Sequence, residues 1–310
     1  MKIQPTAILA AIFVIFLSAC KDCDAKKTYN PSHLKRLLET KKCPKCDLSG
    51  ADLSNADLAG ADLRGAELSA AKLDGANLSN ADLTGAELRW RDDVGDKGKM
   101  GIAEIGDFNC NVTYEATLIG VNLQGAKLPG VDLYGLDLSG ANLAGADLEE
   151  ANFEQANLKK TNLQRANLRG ANLENARLYD ANLQKANLAS SNLRMSFLSD
   201  ADLKEANLSG ANLNNARLLG TILERAKLRN SKLHDAYLVE TFLKDADLQG
   251  VDIRDATLKR VYLMGANLQK AKYDSKTIWT DTYYSEKTVF PSGFDENLKK
   301  QMQLLQVNSR

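Results

Sequence analysis

The sequence predicts a solenoid, a chain that turns by a fixed corner after every fifth residue, and three observations predict it. Position 48 and every fifth position to 88 is leucine, and every fifth position from 118 to 273 is Leu, Ile, Phe or Tyr. The residue two places before each of these centres is small, usually alanine, otherwise Val, Leu, Ser or Thr, and once Cys46. Glycine recurs two places after the centre, as at Gly60, Gly65, Gly120, Gly125, Gly140 and Gly145, where a turn is wanted.

Neither common secondary structure gathers this pattern on one side. On an α-helix a step of five residues turns about 500°, so successive centres drift by about 140° and form no stripe. On a strand an odd step alternates faces. A corner after every five residues sends all centres and all small residues to one interior.

Period alone does not give the number of sides. Segments such as Ala51-Asp52-Leu53-Ser54-Asn55 and Ala141-Asn142-Leu143-Ala144-Gly145 resemble the A-[DN]-L-x-x unit of the pentapeptide-repeat family. The resemblance implies an all-β solenoid: a right-handed quadrilateral parallel β-helix of about 20 residues per coil and about ten coils, with short helical caps at both ends. It implies no enzymatic activity and no cofactor.

Residues 1–19 read as a lipoprotein signal peptide. The apolar run from Ala7 to Leu17 is too short to span a membrane, which takes about 20 residues, and suits a secretory leader. Leu17-Ser18-Ala19-Cys20 resembles a lipobox, which makes Cys20 the lipid attachment site and the membrane a partner through that lipid. The chain is then expected in the bacterial cell envelope, and Lys21 after the lipidated cysteine favours the outer membrane. Residues 20–30 are a polar tether.

Residues 31–45 form the entry. Pro31 and leucines at 34, 37 and 38 predict a short amphipathic capping helix. Cys43 and Cys46 fall on inward slots of the repeat, which leaves open a small-residue core, a local disulfide, a bond to another cysteine, or redox chemistry. A zinc site is not expected, because there is no second C-x-x-C and no histidine cluster.

The first repeat block is 46–88 and the second 116–275, separated by residues 89–115, an expected insertion loop with degenerate repeats around Phe108 and Val112. Arg89, Trp90 and Arg91 sit at its start and are candidate interaction residues. With 20 residues per coil, Ile222, Phe242 and Tyr262 share one column, with Met264 beside it and Phe197 and Tyr237 on the next face. An apolar column is an exposed patch unless covered, and the tail from Thr277 to Phe294 is the expected cover. Residues 276–310 are the C-terminal capping tail, with Phe294, Leu298, Met302 and Leu305 expected on one side of a last helix and a homodimer possible through it.

Charge and chemistry narrow the function. Basic and acidic residues balance at 40 each, so nucleic acid is not an expected partner. Residues 46–88 carry eight acidic and two basic side chains, the one strongly acidic stretch. His33 and His234 are isolated in sequence, no nucleophile–base pair or phosphate loop stands out, and no catalytic, cofactor or metal residue is assigned. The reading is a non-catalytic, lipid-anchored extracytoplasmic scaffold that binds an unknown protein. The alternative is a DNA-mimicking gyrase-binding protein, which the near-neutral second block and the export signal oppose.

Overall fold

The computed structural model describes residues 29–88, 116–300 and 302–305. One helix, α1 (Pro31–Thr40), leads into a long column of coils. Asn30 caps it, its side chain accepting from the Ser32 N–H, Pro31 occupies the first turn, and Lys41 ends it in the left-handed conformation. Leu37 is its fully buried residue.

Each repeat places one residue, that before the centre, in a parallel bridge. Lys42 pairs with Asp62, Asp47 with Glu67, Asp52 with Lys72 and Asp57 with Asn77. Four successive bridges at a spacing of 20 define four sides per coil. Among the described residues, extended segments appear only near the C-terminal end, where β1 (Tyr237–Val239), β2 (Thr257–Lys259) and β3 (Ile278–Thr280) form one parallel sheet. Elsewhere a single bridged residue lies between two corners, so strands stay short.

A repeat with Asn or Asp before its centre satisfies all five of its backbone donors. In the unit 141–145, Ala141 donates across the corner to Leu138 O (3.0 Å), Asn142 to Val121 O one coil below (2.9 Å), and Leu143 and Gly145 to Asn162 O and Gln164 O one coil above (2.7 and 2.8 Å). The fifth, the Ala144 N–H, donates to Oδ1 of Asn142 (3.3 Å). Asn or Asp before the centre is therefore the acceptor that completes the accounting. The centres and small residues fill the interior: Leu143, Leu148 and Phe153 are fully buried, as are Ala146 and Ala151.

The same asparagines stack from coil to coil, and the stacks have a direction. Nδ2 of an Asn donates to Oδ1 of the residue below, as Asn192 to Asn172 (3.0 Å) and Asn172 to Asn152 (3.3 Å). At the foot stands an aspartate, which accepts and cannot donate. Asn77 donates to Asp57, Asn152 to Asp132, Asn157 to Asp137 and Asn167 to Asp147. All four sides begin a ladder this way.

At the break the stacking distance changes. Lys72 pairs with Thr117, Asn77 with Asn122 and Asp82 with Lys127, a separation of 45 in place of 20. Ala116 donates to Leu88 O (3.2 Å), the bond that Ala51 makes to Leu48 O. The coil thus passes from Leu88 to Ala116 as consecutive corners. Residues 89–115, with Arg89, Trp90, Arg91 and the sequence-expected degenerate repeats, lie outside the described residues, as do Cys20 and the leader.

The C-terminal segment differs from its expectation in two respects. It does not fold over the apolar column but adds another coil to it. Thr277, Thr282 and Thr288 take the small slot, each hydroxyl donating to a carbonyl of the coil below, Ile253, Leu258 and Leu263. Trp279, Tyr284 and Phe290 follow them in the centre slot, two residues on. Second, the last helix, α2 (Glu296–Lys300), is only five residues long. Beyond it Gln303–Leu304 (β5) pairs with Tyr283–Tyr284 (β4), because extended backbone there finds ladder partners that a further helical turn would forgo. Met302 is buried and Leu305 exposed, so they share no helix face. Trp279 and Phe294 pack edge to face (5.5 Å), and Phe294 stacks on Phe290 (4.6 Å), closing that end with rings.

Candidate functional site

The interior offers no place for chemistry: between Leu223 and Leu268 its axis is lined by Leu, Val and Ile, and the buried hydroxyls of Ser231 and Thr241 are donated to the Leu228 and Leu218 carbonyls. Function must then be sought on the outer faces, and the residue before each centre decides what those faces carry.

On one side the outward residue is Asp57, Asn77, Asn122, Asn142, Asn162, Asn182 and Asp202, and then it changes. Ile222 bridges Phe242, Phe242 bridges Tyr262, and Tyr262 bridges Tyr283. The rings stack face to face: Phe242 and Tyr262 at 4.8 Å and 5°, Tyr262 and Tyr283 at 4.9 Å and 10°. Tyr283, contributed by the tail, extends the column that the tail was expected to cover. On the adjacent side Arg177, Phe197, Arg217 and Tyr237 bridge in series, with the Arg217 guanidinium over the Phe197 ring (5.4 Å).

Between these sides the corner is also apolar. Leu219 is 45% exposed, Tyr237 52% and Phe242 37%, and Val239 and Ile222 are half-buried beside them. Together they make a contiguous apolar surface. The sequence places the column correctly because a spacing of 20 holds throughout the second block; Tyr283 escapes it because the tail coil carries an extra residue. Three threonines, each two residues before an aromatic, are the signal that could have found it.

The geometry limits what this surface can bind. Ring faces are spent on one another, so a sugar or nucleobase has no free face in the middle of the stack to lie on. What is presented is ring edges, tyrosine tips and aliphatic side chains. The bordering charges are largely paired from coil to coil, as Glu240 with Arg260 (2.5 Å) and Glu224 with Lys204 (3.2 Å).

Three smaller groupings remain. His234 is not isolated in space: Nε2 lies 3.3 Å from Asp235 Oδ2 and Nδ1 3.4 Å from Asp255 Oδ2. These three side chains have metal-ligand character, yet Lys276 Nζ already sits 3.1 Å from Asp255 Oδ1, placing a cation there without a metal. At the opposite end Cys43 and Cys46 form a disulfide, with Cα atoms 5.3 Å apart. Spacing permitted that bond among other pairings. The acidic first block carries a second-face column, Asp47, Glu67 and Glu87, while Asp57, Asp62 and Asp82 have their carboxyl pKa lowered, chiefly by hydrogen bonds from Lys41, Arg64 and Thr84.

Comparison with known proteins agrees with the repeat. The family model for pentapeptide repeats matches in eight copies, covering residues 46–85 and, in overlapping matches, 116–245 and 243–272. Among solved structures the chain is similar to HetL, a pentapeptide repeat protein involved in heterocyst differentiation regulation from Nostoc sp. strain PCC 7120: 28% identity, 82% of this chain and 94% of that one, TM-score 0.40. It is also similar to a pentapeptide repeat protein of the Arabidopsis thaliana thylakoid lumen, at 27% identity over 36% of this chain and 71% of that one, TM-score 0.26. Full-length QnrB1, a plasmid-mediated fluoroquinolone resistance protein, matches at 14% identity over 61% and 86%, TM-score 0.32. No curated protein matches. Members of the matched family fold as right-handed quadrilateral β-helices and are generally structural or interaction proteins, with no catalytic family indicated. With its five-residue period, four bridged sides and leucine-filled interior, this chain belongs to the pentapeptide-repeat family.

Proposed function

We propose that the chain is a non-catalytic scaffold of the bacterial cell envelope, lipid-anchored through Cys20, that binds another protein through the apolar surface built on Ile222, Phe242 and Tyr262. One observation carries the binding surface. At these three positions the chain lacks the Asn or Asp that most repeats use to accept their own turn amide and to continue the ladder, a departure it also makes with Arg177, Phe197, Arg217 and Tyr237 on the adjacent side. Glu224, Lys244 and Met264, the residues whose amides need that acceptor, have none at their own repeat position. What singles this side out is that apolar groups take that place in successive coils and stand exposed, which points to a demand from outside the fold.

The anchor rests on the lipobox-like Leu17-Ser18-Ala19-Cys20, and the buried Cys43–Cys46 disulfide suits an oxidising compartment. The acidic column Asp47, Glu67, Glu87 favours a second reading, an anionic surface that mimics a nucleic acid toward a topoisomerase.

A photo-reactive residue placed singly at 242, at 162 on the same side, or at 67 on the acidic column separates them in intact cells. The scaffold reading predicts a discrete protein adduct at 242 and none at 162 or 67. Adducts confined to 67 would sink it in favour of the mimic, and adducts equal at all three would sink both.

A further inference from the structure

We propose that Cys43–Cys46 is a redox lock on the N-terminal end of the coil column, holding α1 docked only while the pair is oxidised. The two cysteines stand where later corners have a centre residue, nearly always leucine, and a small residue. Cys43 takes the centre slot, its N–H donating to Asp62 O (2.8 Å) as Leu48 donates to Glu67 O. Cys46 takes the small slot and donates to Cys43 O (3.3 Å), the corner bond that Ala51 makes to Leu48 O. Both are buried, at 0% and 1% exposure. The pair thus replaces a standard apolar contact by a covalent bond at the first corner, the one with no coil beneath it.

What lies beneath is α1, tied to this corner from several directions. Asp47 N–H donates to His33 Nδ1 (3.0 Å), Arg36 Nε to Lys42 O (2.8 Å) and Asn30 N–H to Asp47 O (3.2 Å). Cys43 Sγ itself lies 3.2 Å from His33 O. The Cys43 sulfur is in contact with the helix that the pair secures.

Reduction transfers two electrons and two protons from an external dithiol to the two sulfurs; the S–S bond breaks, two thiols form, and the reductant leaves as its own disulfide. The sulfurs must then part by roughly 1.5 Å, from bond length to non-bonded contact. In a closed corner that movement pushes against His33 and α1. The Cys43 thiol is also smaller than the leucine that fills the centre slot of other corners. Both effects favour undocking of α1, which exposes the end of the apolar column and an unpaired coil edge. Because the sulfurs are buried, the lock closes during folding and a reductant reaches it only after local opening.

The test is amide hydrogen exchange on the full chain, oxidised and reduced, with the thiol state verified by alkylation and mass. Refolding from denaturant with dithiothreitol throughout supplies the reduced chain even where native protein resists it. Exchange at the Lys41 and Asp47 amides is expected to rise at least about tenfold on reduction, with amides of residues 141–213 unchanged. A C43L/C46A variant installs the ordinary corner pair, and its α1 amides are expected to stay protected with or without reductant. Equal protection of α1 in oxidised and reduced wild type overturns the proposal. So does an unchanged response in C43L/C46A, which would assign it to Cys23 or Cys110.

Discussion

The left-handed turn residue two places after each centre shows the repeat's tolerance at the residue scale. Lys185 (φ 60°), Glu205 (φ 60°) and Arg225 (φ 55°) occupy it as well as glycine does, although left-handed backbone costs an ordinary residue about 1–2 kcal/mol. At some positions the side chain on the coil below must move to admit one. A methyl at Gly265 would sit 2.1 Å from Asp245 Oδ1 on the coil below, whereas one at Gly145 would meet nothing within 4 Å. Gly145→Ala is therefore expected to destabilise by about 1 kcal/mol and Gly265→Ala by about 1–2 kcal/mol, the excess being the cost of turning Asp245 aside, read as the difference in thermal midpoint. Equal midpoints would show that the Asp245 contact does not constrain the turn. The sequence shows glycine recurring at the turn, but the need at Gly265 becomes visible only with the 20-residue stacking, which brings Asp245 beneath it.

The amide ladders add a directional test at the same scale. Asn172 accepts from Asn192, donates to Asn152 (3.3 Å) and to Glu154 Oε2 (3.1 Å), and receives the Glu174 amide (3.2 Å). Asn172→Asp keeps the acceptor and removes both donors, leaving a carboxylate near Glu154. A loss of about 1–2 kcal/mol is expected. Denaturant titration checks it, with Asn77→Asp, directly above Asp57, expected to behave alike.

At the scale of the element, the coil was legible and its junctions were not. Centres and small residues are read directly from a period of five, and the four-sided stack follows once the family is recognised. Across the break, stacking by 20 fails, because Lys72 pairs with Thr117 and only three-dimensional register shows which corners meet. The tail was missed for a related reason. Trp279 stands above Leu258 and Val289 above Asn267, spacings of 21 and 22, so an arithmetic of fives loses them. The last helix was overread because Phe294, Leu298, Met302 and Leu305 fit a helical spacing, while Tyr283 and Tyr284 offer β5 backbone partners that a helical pattern cannot anticipate. Thr288→Val, which keeps the shape and removes the hydroxyl donated to Leu263 O (2.8 Å), is expected to loosen that end by about 1–2 kcal/mol, seen as faster exchange of the Val289 amide. An unchanged rate would show that the hydroxyl does not hold the tail coil.

For the whole molecule, acid and partner probe different surfaces. Asp52, Asp57, Asp62, Asp82 and Asp252 have pKa values lowered from 3.8 in the folded chain, with a side-chain hydrogen bond the first cause in each. A lowered folded value stabilises above the unfolded one and is lost as pH falls through the folded value. Stability is thus expected to be level above about pH 5 and to decline below about pH 4; a thermal midpoint constant down to pH 2 would contradict that. The apolar surface is independent of this. The column at Ile222, Phe242 and Tyr262 was legible from spacing, but its Tyr283 extension and apolar corner were not, since Leu219 and Val239 look like ordinary turn residues until two sides meet.

The most direct test of the binding surface returns the repeat to its own rule. Ile222→Asn, Phe242→Asn and Tyr262→Asn together restore the amide acceptor and ladder to three coils that lack them. If the aromatic column exists for a partner, this triple variant keeps or raises its thermal midpoint and loses the partner crosslinked in intact cells. A variant that melts several degrees lower and still recovers that partner would show that the column serves the fold, and would contradict the account.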